Sequence, residues 1–185
     1  MKINIITSGV AGAERAAVNI ATQNHIRYSG YSWANKAMRQ RGNTDPNIVT
    51  VTTGNWREPL EKMTNRADAI IYFVDDIDNR HIGKMDVIHK RAQDIIEHEI
   101  REIQQDYIVI DNANAANVNT AVARSFADAI HATKAYQQSR GNNPDHAVLN
   151  IMICGIKPET AKKCGVDIEQ VVSDALQYAI DVNKR

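Results

Sequence analysis

Three observations predict an α/β protein: a three-layer sandwich with a mainly parallel sheet of about five strands. Short apolar runs alternate along the chain with longer segments of helical period, the pattern of successive right-handed βαβ units. The runs are predominantly apolar rather than alternating, which suits strands of a parallel sheet covered on both faces. The first of them passes through a glycine-containing turn into an alanine-rich helix. A chain of 185 residues, 43% of them hydrophobic, can bury one substantial core. No linker or internal repeat divides it, so residues 1–185 read as a single Rossmann-like domain.

The elements follow in order. Lys2–Thr7 reads as the first strand, and about Gly12–Asn24 as the first helix, with Ala13, Ala16, Ala17, Ile20 and Ala21 on one face. His25–Asp45, aromatic and basic, reads as a long loop with a helical turn. Asn47–Thr52 is the second strand. Asn55–Arg66 is a short helix with Asn55 in the N-cap position. Ala69–Val74 is a third, strongly apolar strand leading into the acidic loop Asp75-Asp76-Ile77-Asp78.

A long amphipathic helix is expected over His81–Gln105, with Met85, Ile88, Ala92, Ile95, Ile96, Ile100 and Ile103 on its apolar face. Tyr107–Ile110 is a short strand entering an asparagine-rich segment, and a helix runs from about Val118 to Gln137. Val148–Cys154 is the last strand, after which Gly155 and Lys157-Pro158 turn the chain. The final helix starts at Asp167 or Ile168, with Val171, Val172, Ala175, Leu176, Ala179 and Ile180 along its core stripe.

Composition narrows the function. Lys and Arg total 22, as do Asp and Glu, which argues against broad nonspecific binding to extended nucleic acid. No run approaches a membrane span of about 20 apolar residues, and the N-terminus lacks the pattern of a secretory signal. Cys154 and Cys164 are too few for a disulfide framework. These features lead to the expectation of a cytoplasmic protein without a membrane partner.

In open parallel sheets, ligands bind beyond the carboxyl ends of the strands. That directs attention to Thr7–Arg15, Asp75–His81, Asp111–Asn117 and Gly155–Lys157. Gly9 and Gly12 permit a tight turn, and the helix that follows begins with free N–H groups that attract an anion, most often phosphate. The Lys-Ser/Thr of a P-loop is missing. Thr7 stands where a dinucleotide fingerprint has its first glycine, so ATPase and ordinary NAD readings are disfavoured. Ser8 is a phosphate-binding or a turn-bracing hydroxyl; without a Gly-x-Ser-x-Gly elbow it is not a nucleophile.

Glu14, Asp75 and Asp76 are the candidate general acids or bases. Asp75, Asp76 and Asp78 could hold Mg²⁺ beside a phosphate or form a solvated loop, and no metal ligand set is assigned. Asn112, Asn114, Asn117 and Asn119 could read base edges or cap a helix. Tyr28, Tyr31, Trp33 and Trp56 could stack on a base or cover the core. Arg39 and Arg41 could clamp phosphate or lie in solvent.

The string Thr7-Ser8-Gly9-Val10-Ala11-Gly12-Ala13-Glu14-Arg15-Ala16-Ala17 resembles the Ser-Gly-Gly-x-x-Gly-Ala-Asp-Arg-Ala-Ala opening of circularly permuted YpsA-like proteins. These belong to the LOG and DprA-like (SLOG) Rossmann superfamily and include proteins named as molybdenum-cofactor carriers. Leu149–Glu159 resembles the family's late Leu-Asn-Val-Ala-Gly-Pro-Arg-Glu strand and turn, and Thr64–Phe73 a helix end with the strand after it. Val10 replaces the second family glycine. The family's Cys-Pro loop is missing near Gly30–Trp33, and its Gly-Gly-Thr turn survives only as His81-Ile82-Gly83-Lys84. The Pro-Gly-Gly-x-Gly-Thr-x-x-Glu motif of the phosphoribohydrolase branch is absent.

The resemblance implies an anion-binding role for Arg15 and a homodimer or homotetramer. Residues and resemblance together lead to the expectation of a nucleotide or nucleotide-derived phosphate ligand that is sensed, carried or sequestered. Backbone groups of Gly9, Val10, Ala11, Gly12 and Ala13 would present themselves to it, with Thr7, Ser8 and Arg15 as side-chain contacts and Asn112, Gly155 and Lys157 contributing from later strand ends. An N-glycosidase acting on a nucleotide or nucleoside derivative and a carrier of molybdenum cofactor are the alternatives.

Overall fold

The computed structural model describes residues 1–33, 45–52, 54–76, 83–98, 101–110 and 115–183. In chain order the elements are β1 (Lys2–Ile6), α1 (Ala13–Gln23), β2 (Arg27–Trp33), β3 (Ile48–Val51), α2 (Arg57–Thr64), β4 (Ala69–Val74) and α3 (Lys84–His98). There follow β5 (Gln104–Val109), α4 (Ala115–Ser139), a 3-10 turn (Pro144–His146), β6 (Val148–Gly155), α5 (Pro158–Lys163) and α6 (Ile168–Asn183). The strands make a six-stranded sheet in the order β3-β2-β1-β6-β4-β5, and every pairing in it is parallel.

Strand order and handedness place the helices. The steps β1 to β2 and β5 to β6 run one way across the sheet, while β3 to β4 and β4 to β5 run the other way. Right-handed crossovers therefore set α1 and α4 on one face, and α2 and α3 on the opposite face. The packing agrees: α6 lies against both α1 and α4, and α2 against α3. Covered on both sides, β4 is buried at every residue. Ala13, Ala16, Ala17 and Ala21 of α1 are fully buried, and their small side chains let that helix lie close to the sheet.

The sixth strand is the main departure from the sequence expectation. Arg27–Trp33, read above as part of a loop, is β2, paired with β1 on one side and β3 on the other. Its residues Arg-Tyr-Ser-Gly-Tyr-Ser-Trp form no apolar run, but Tyr and Trp suit a pleated surface. Two neighbouring strands satisfy its backbone groups. Lys36, Arg39 and Arg41 lie outside the described residues.

The second departure is the end of α3. The helical spacing of hydrophobic residues runs through Ile103, yet the described helix ends at His98 and β5 begins at Gln104. Six residues of β5 pair in register with Ala69–Val74, and those ladder bonds prevail over local periodicity. Arg101, between the two, donates from Nη1 to the Asn65 carbonyl (2.8 Å) and from Nη2 to the Ala67 carbonyl (2.7 Å). It thereby caps the end of α2, whose last carbonyls have no helical partner. Arg101→Ala is expected to cost about 2 kcal/mol, read as a lower urea midpoint at unchanged m value. A loss under about 0.5 kcal/mol would instead mark an ordinary surface substitution.

Smaller differences have local causes. Pro158, expected only to turn the chain, occupies the first turn of the short helix α5, where its missing N–H costs nothing. Asn55 sits one residue before the N-cap position, which is Trp56, and its Oδ1 accepts from the Arg57 N–H at 2.8 Å. No helix among the described residues is long and apolar enough to cross a membrane.

Candidate functional site

The strand order creates the site. β6 returns to fill the place between β1 and β4, while the helices following β1 and β4 leave on opposite faces. The N-termini of α1 and α3 therefore flank a crevice above the carboxyl end of β6, the position at which open α/β sheets bind ligands. A cavity of about 880 Å³ opens there, within the range of small-molecule sites.

The β1–α1 turn forms one wall. Ser8, Val10, Ala11 and Glu14 line the cavity, whereas the rest of the turn supports them. Thr7 is fully buried; its hydroxyl donates to the Glu14 carbonyl at 3.3 Å and accepts from the Gly9 N–H at 3.4 Å. Gly9 and Gly12 have φ of 65° and 59°, a region that glycine enters without strain. Ala13 is packed against Gly155.

Two contacts at the turn bear on phosphate binding. The Gly12 N–H donates to Oε1 of Glu169 at 3.2 Å, so a carboxylate from the first turn of α6 already occupies that donor. Arg15 folds back over the turn, donating from Nε to the Gly9 carbonyl (3.0 Å) and from Nη2 to the Val10 carbonyl (3.2 Å). In this arrangement Arg15 braces the turn.

The opposite walls come from elements far apart in sequence. Tyr31, Ser32 and Trp33 arrive at the end of β2, and Trp56, Pro59 and Leu60 from the start of α2. The chain has two tryptophans, and both face this cavity. Gly155, Ile156, Lys157, Pro158 and Thr160 close it after β6.

At its floor, Glu14 of α1 makes an ion pair with Lys84, the first residue of α3. Glu14 is 4% exposed, while the Lys84 side chain keeps 29% of its surface. Cys154, buried beside this pair, has its thiol pushed well above the ordinary range, chiefly by burial and further by the Glu14 carboxylate.

The predicted residues thus divide. Ser8, Val10, Ala11, Glu14, Asp75, Gly155 and Lys157 line the cavity; Thr7, Gly9, Gly12, Ala13 and Arg15 shape the turn behind it. Asp76 is exposed at the loop and is not among the lining residues. Asn112, Asn114, Asp78 and His81 lie outside the described residues. Asn117 and Asn119 are on α4, away from the cavity, and Tyr28 bonds through its hydroxyl to Asp45 at 3.0 Å. Among the described residues no group of three His, Cys, Asp or Glu side chains could hold a metal ion.

Lys84 is the charged lining residue that sequence reasoning missed. Its position just past the third expected strand end was a usable signal, but nothing local shows that it meets a carboxylate 70 residues away.

No protein-family model matches the chain, and no curated protein matches it. Among solved structures, the chain resembles a "Putative molybdenum carrier protein" from Syntrophus aciditrophicus, with a TM-score of 0.63 and 18% sequence identity. The similarity covers 96% of this chain and 94% of that one. At this identity the likeness is one of fold: the chain has the parallel α/β architecture of that protein over nearly its whole length.

Proposed function

We propose that the protein binds a planar heteroaromatic small molecule bearing phosphate, a nucleotide or a pterin, and holds it unchanged. The observation that carries this reading is the aromatic wall of the cleft. Tyr31, Trp33 and Trp56 border a cavity of about 880 Å³ whose lining also carries Ser8, Glu14, Lys84 and Lys157. Aromatic faces take flat rings of many identities, while Ser8, Lys157 and the Lys84 ammonium offer donors to an anion. The solved structure of similar fold is named as a molybdenum carrier; a pterin-bound metal would here be cargo rather than a resident cofactor.

Because both tryptophans face the cleft, binding should report itself in their fluorescence. Titration with AMP, GMP, cyclic dinucleotides, ADP-ribose and neopterin phosphate is expected to give saturable quenching with at least one of them. Mass spectrometry of the filtered, denatured complex should recover that ligand intact. Trp33→Ala should weaken retention about tenfold, the cost of one lost stacking contact. Absence of quenching and of retention across the whole panel would overturn the reading.

A second reading rests on one observation, the buried Glu14 carboxylate at the cavity floor. Placed against a ribose, it could act as the base in N-glycosidic cleavage. Free base in the denatured mixture would establish that activity and displace simple binding.

A further inference from the structure

The cleft holds a feature that stability does not explain. An ion pair taken out of water is repaid only in part by its own attraction, and apolar residues of similar volume would often serve a core better. Glu14 and Lys84 nevertheless meet at the floor of the cavity, bridging helices from opposite faces of the sheet. Resting on the ligand-binding reading above, we propose that Lys84 is the residue that anchors the anionic group of the ligand. Glu14 is its internal counter-ion, which the ligand anion displaces or shares.

The geometry supports an exchange. Lys84 has three N–H donors and gives one to Glu14 Oε1, and its partly exposed side chain lines the cavity. It is the first residue of a 15-residue helix, and Glu14 the second of an 11-residue helix. Both helices start at the crevice, so their positive ends add to the attraction for an anion. At the Gly12 N–H the corresponding place is taken by Glu169, whereas the Lys84 ammonium stands at the start of its helix on the cavity lining, with Ser8 and Lys157 as further donors there. Among the described residues, the other charged or titratable groups lining the cavity or adjoining the pair include Tyr31, Asp75, Lys157 and Cys154. Asp75 and Lys157 line the same cavity with opposite charges, and the buried Cys154 thiol stays protonated, bringing no further negative charge to Lys84.

Such a pair sets specificity by charge. Glu14 competes with a ligand anion for the ammonium, so removing its charge should strengthen anion binding, whereas a catalytic carboxylate would give no such gain. The test compares three matched pairs of probes by equilibrium dialysis: AMP with adenosine, GMP with guanosine, and neopterin phosphate with neopterin. Wild-type protein is expected to favour the phosphorylated member of at least one pair. Lys84→Met should lower affinity for that member about ten- to a hundredfold with the neutral member unchanged, and Glu14→Gln should raise it several-fold.

The double variant Glu14→Gln/Lys84→Met, which leaves no unpaired buried charge, should lose about tenfold or more of the preference for the phosphorylated member; it serves as the test should Lys84→Met fail to fold. An undiminished preference for phosphate in the double variant would overturn the role of Lys84. Equal binding of both members by wild type would do the same, with the cleft still a ligand site. Failure of wild type to bind any of the six probes would overturn this inference, and the cleft reading falls with it when the cyclic dinucleotides and ADP-ribose are not retained either.

Discussion

Gly30→Ala is expected to destabilise the protein by more than about 4 kcal/mol, at the extreme of single substitutions. Gly30 lies in β2 against the backbone of Thr7, the residue that follows β1. A methyl group there would stand 1.8 Å from the Thr7 carbonyl oxygen and 2.7 Å from its carbonyl carbon. Both atoms are backbone, so no rotamer change relieves the overlap, and the strands must separate. The register Ile6↔Ser29 and the bond from the Thr7 N–H to the Ser29 carbonyl (3.1 Å) would go with it.

The damage reaches the cleft, because Thr7 holds the glycine turn from below and the next three residues of β2 form the aromatic wall. Urea denaturation followed by circular dichroism gives the measurement. A variant within about 1 kcal/mol of wild type would show that β1 and β2 do not approach at this point.

Lys84→Met is expected to cost about 2–4 kcal/mol. The loss is one of charge rather than packing, since methionine keeps most of the apolar stem. It leaves Glu14, 4% exposed, buried with no compensating cation, the situation in which breaking an ion pair is most expensive. The 29% exposure of the lysine side chain admits some water and holds the loss below the top of the range. Adding Glu14→Gln should return stability to within about 1 kcal/mol of wild type, because the double variant has no unpaired charge. The two substitutions are therefore strongly non-additive in a double-mutant cycle. Additive losses would mean that the two side chains do not pair in solution.

What was legible in the sequence is what neighbouring residues decide together. Ala69–Val74 and Val148–Cys154 read as buried strands because their residues are apolar, with Asn150 the one polar exception, and the structure shows both inside a sheet covered on two faces. The alanine stripe of α1 and the core stripe of α6 follow from helical spacing. The same local reading failed wherever a distant partner decided. Arg27–Trp33 has too few apolar residues to announce a strand and becomes one because β1 and β3 flank it. The apolar period of α3 continues past the helix, yet pairing with β4 makes the chain extended from Gln104.

For the site, the sequence by itself determined the class of fold, the glycine turn after the first strand and, among the strand ends it singled out, those after β1, β4 and β6 that border the cavity. Tertiary structure alone decided which of those groups face one another. It turned Ser8 and Glu14 into the cavity, with Thr7 and Arg15 bracing the turn, set Glu169 against the Gly12 N–H and brought Lys84 to Glu14. The division has a physical cause. Burial and helical or extended period are written in residues a few positions apart, whereas a contact between residues 70 or 157 positions apart depends on strand order and crossover handedness, which no local pattern carries.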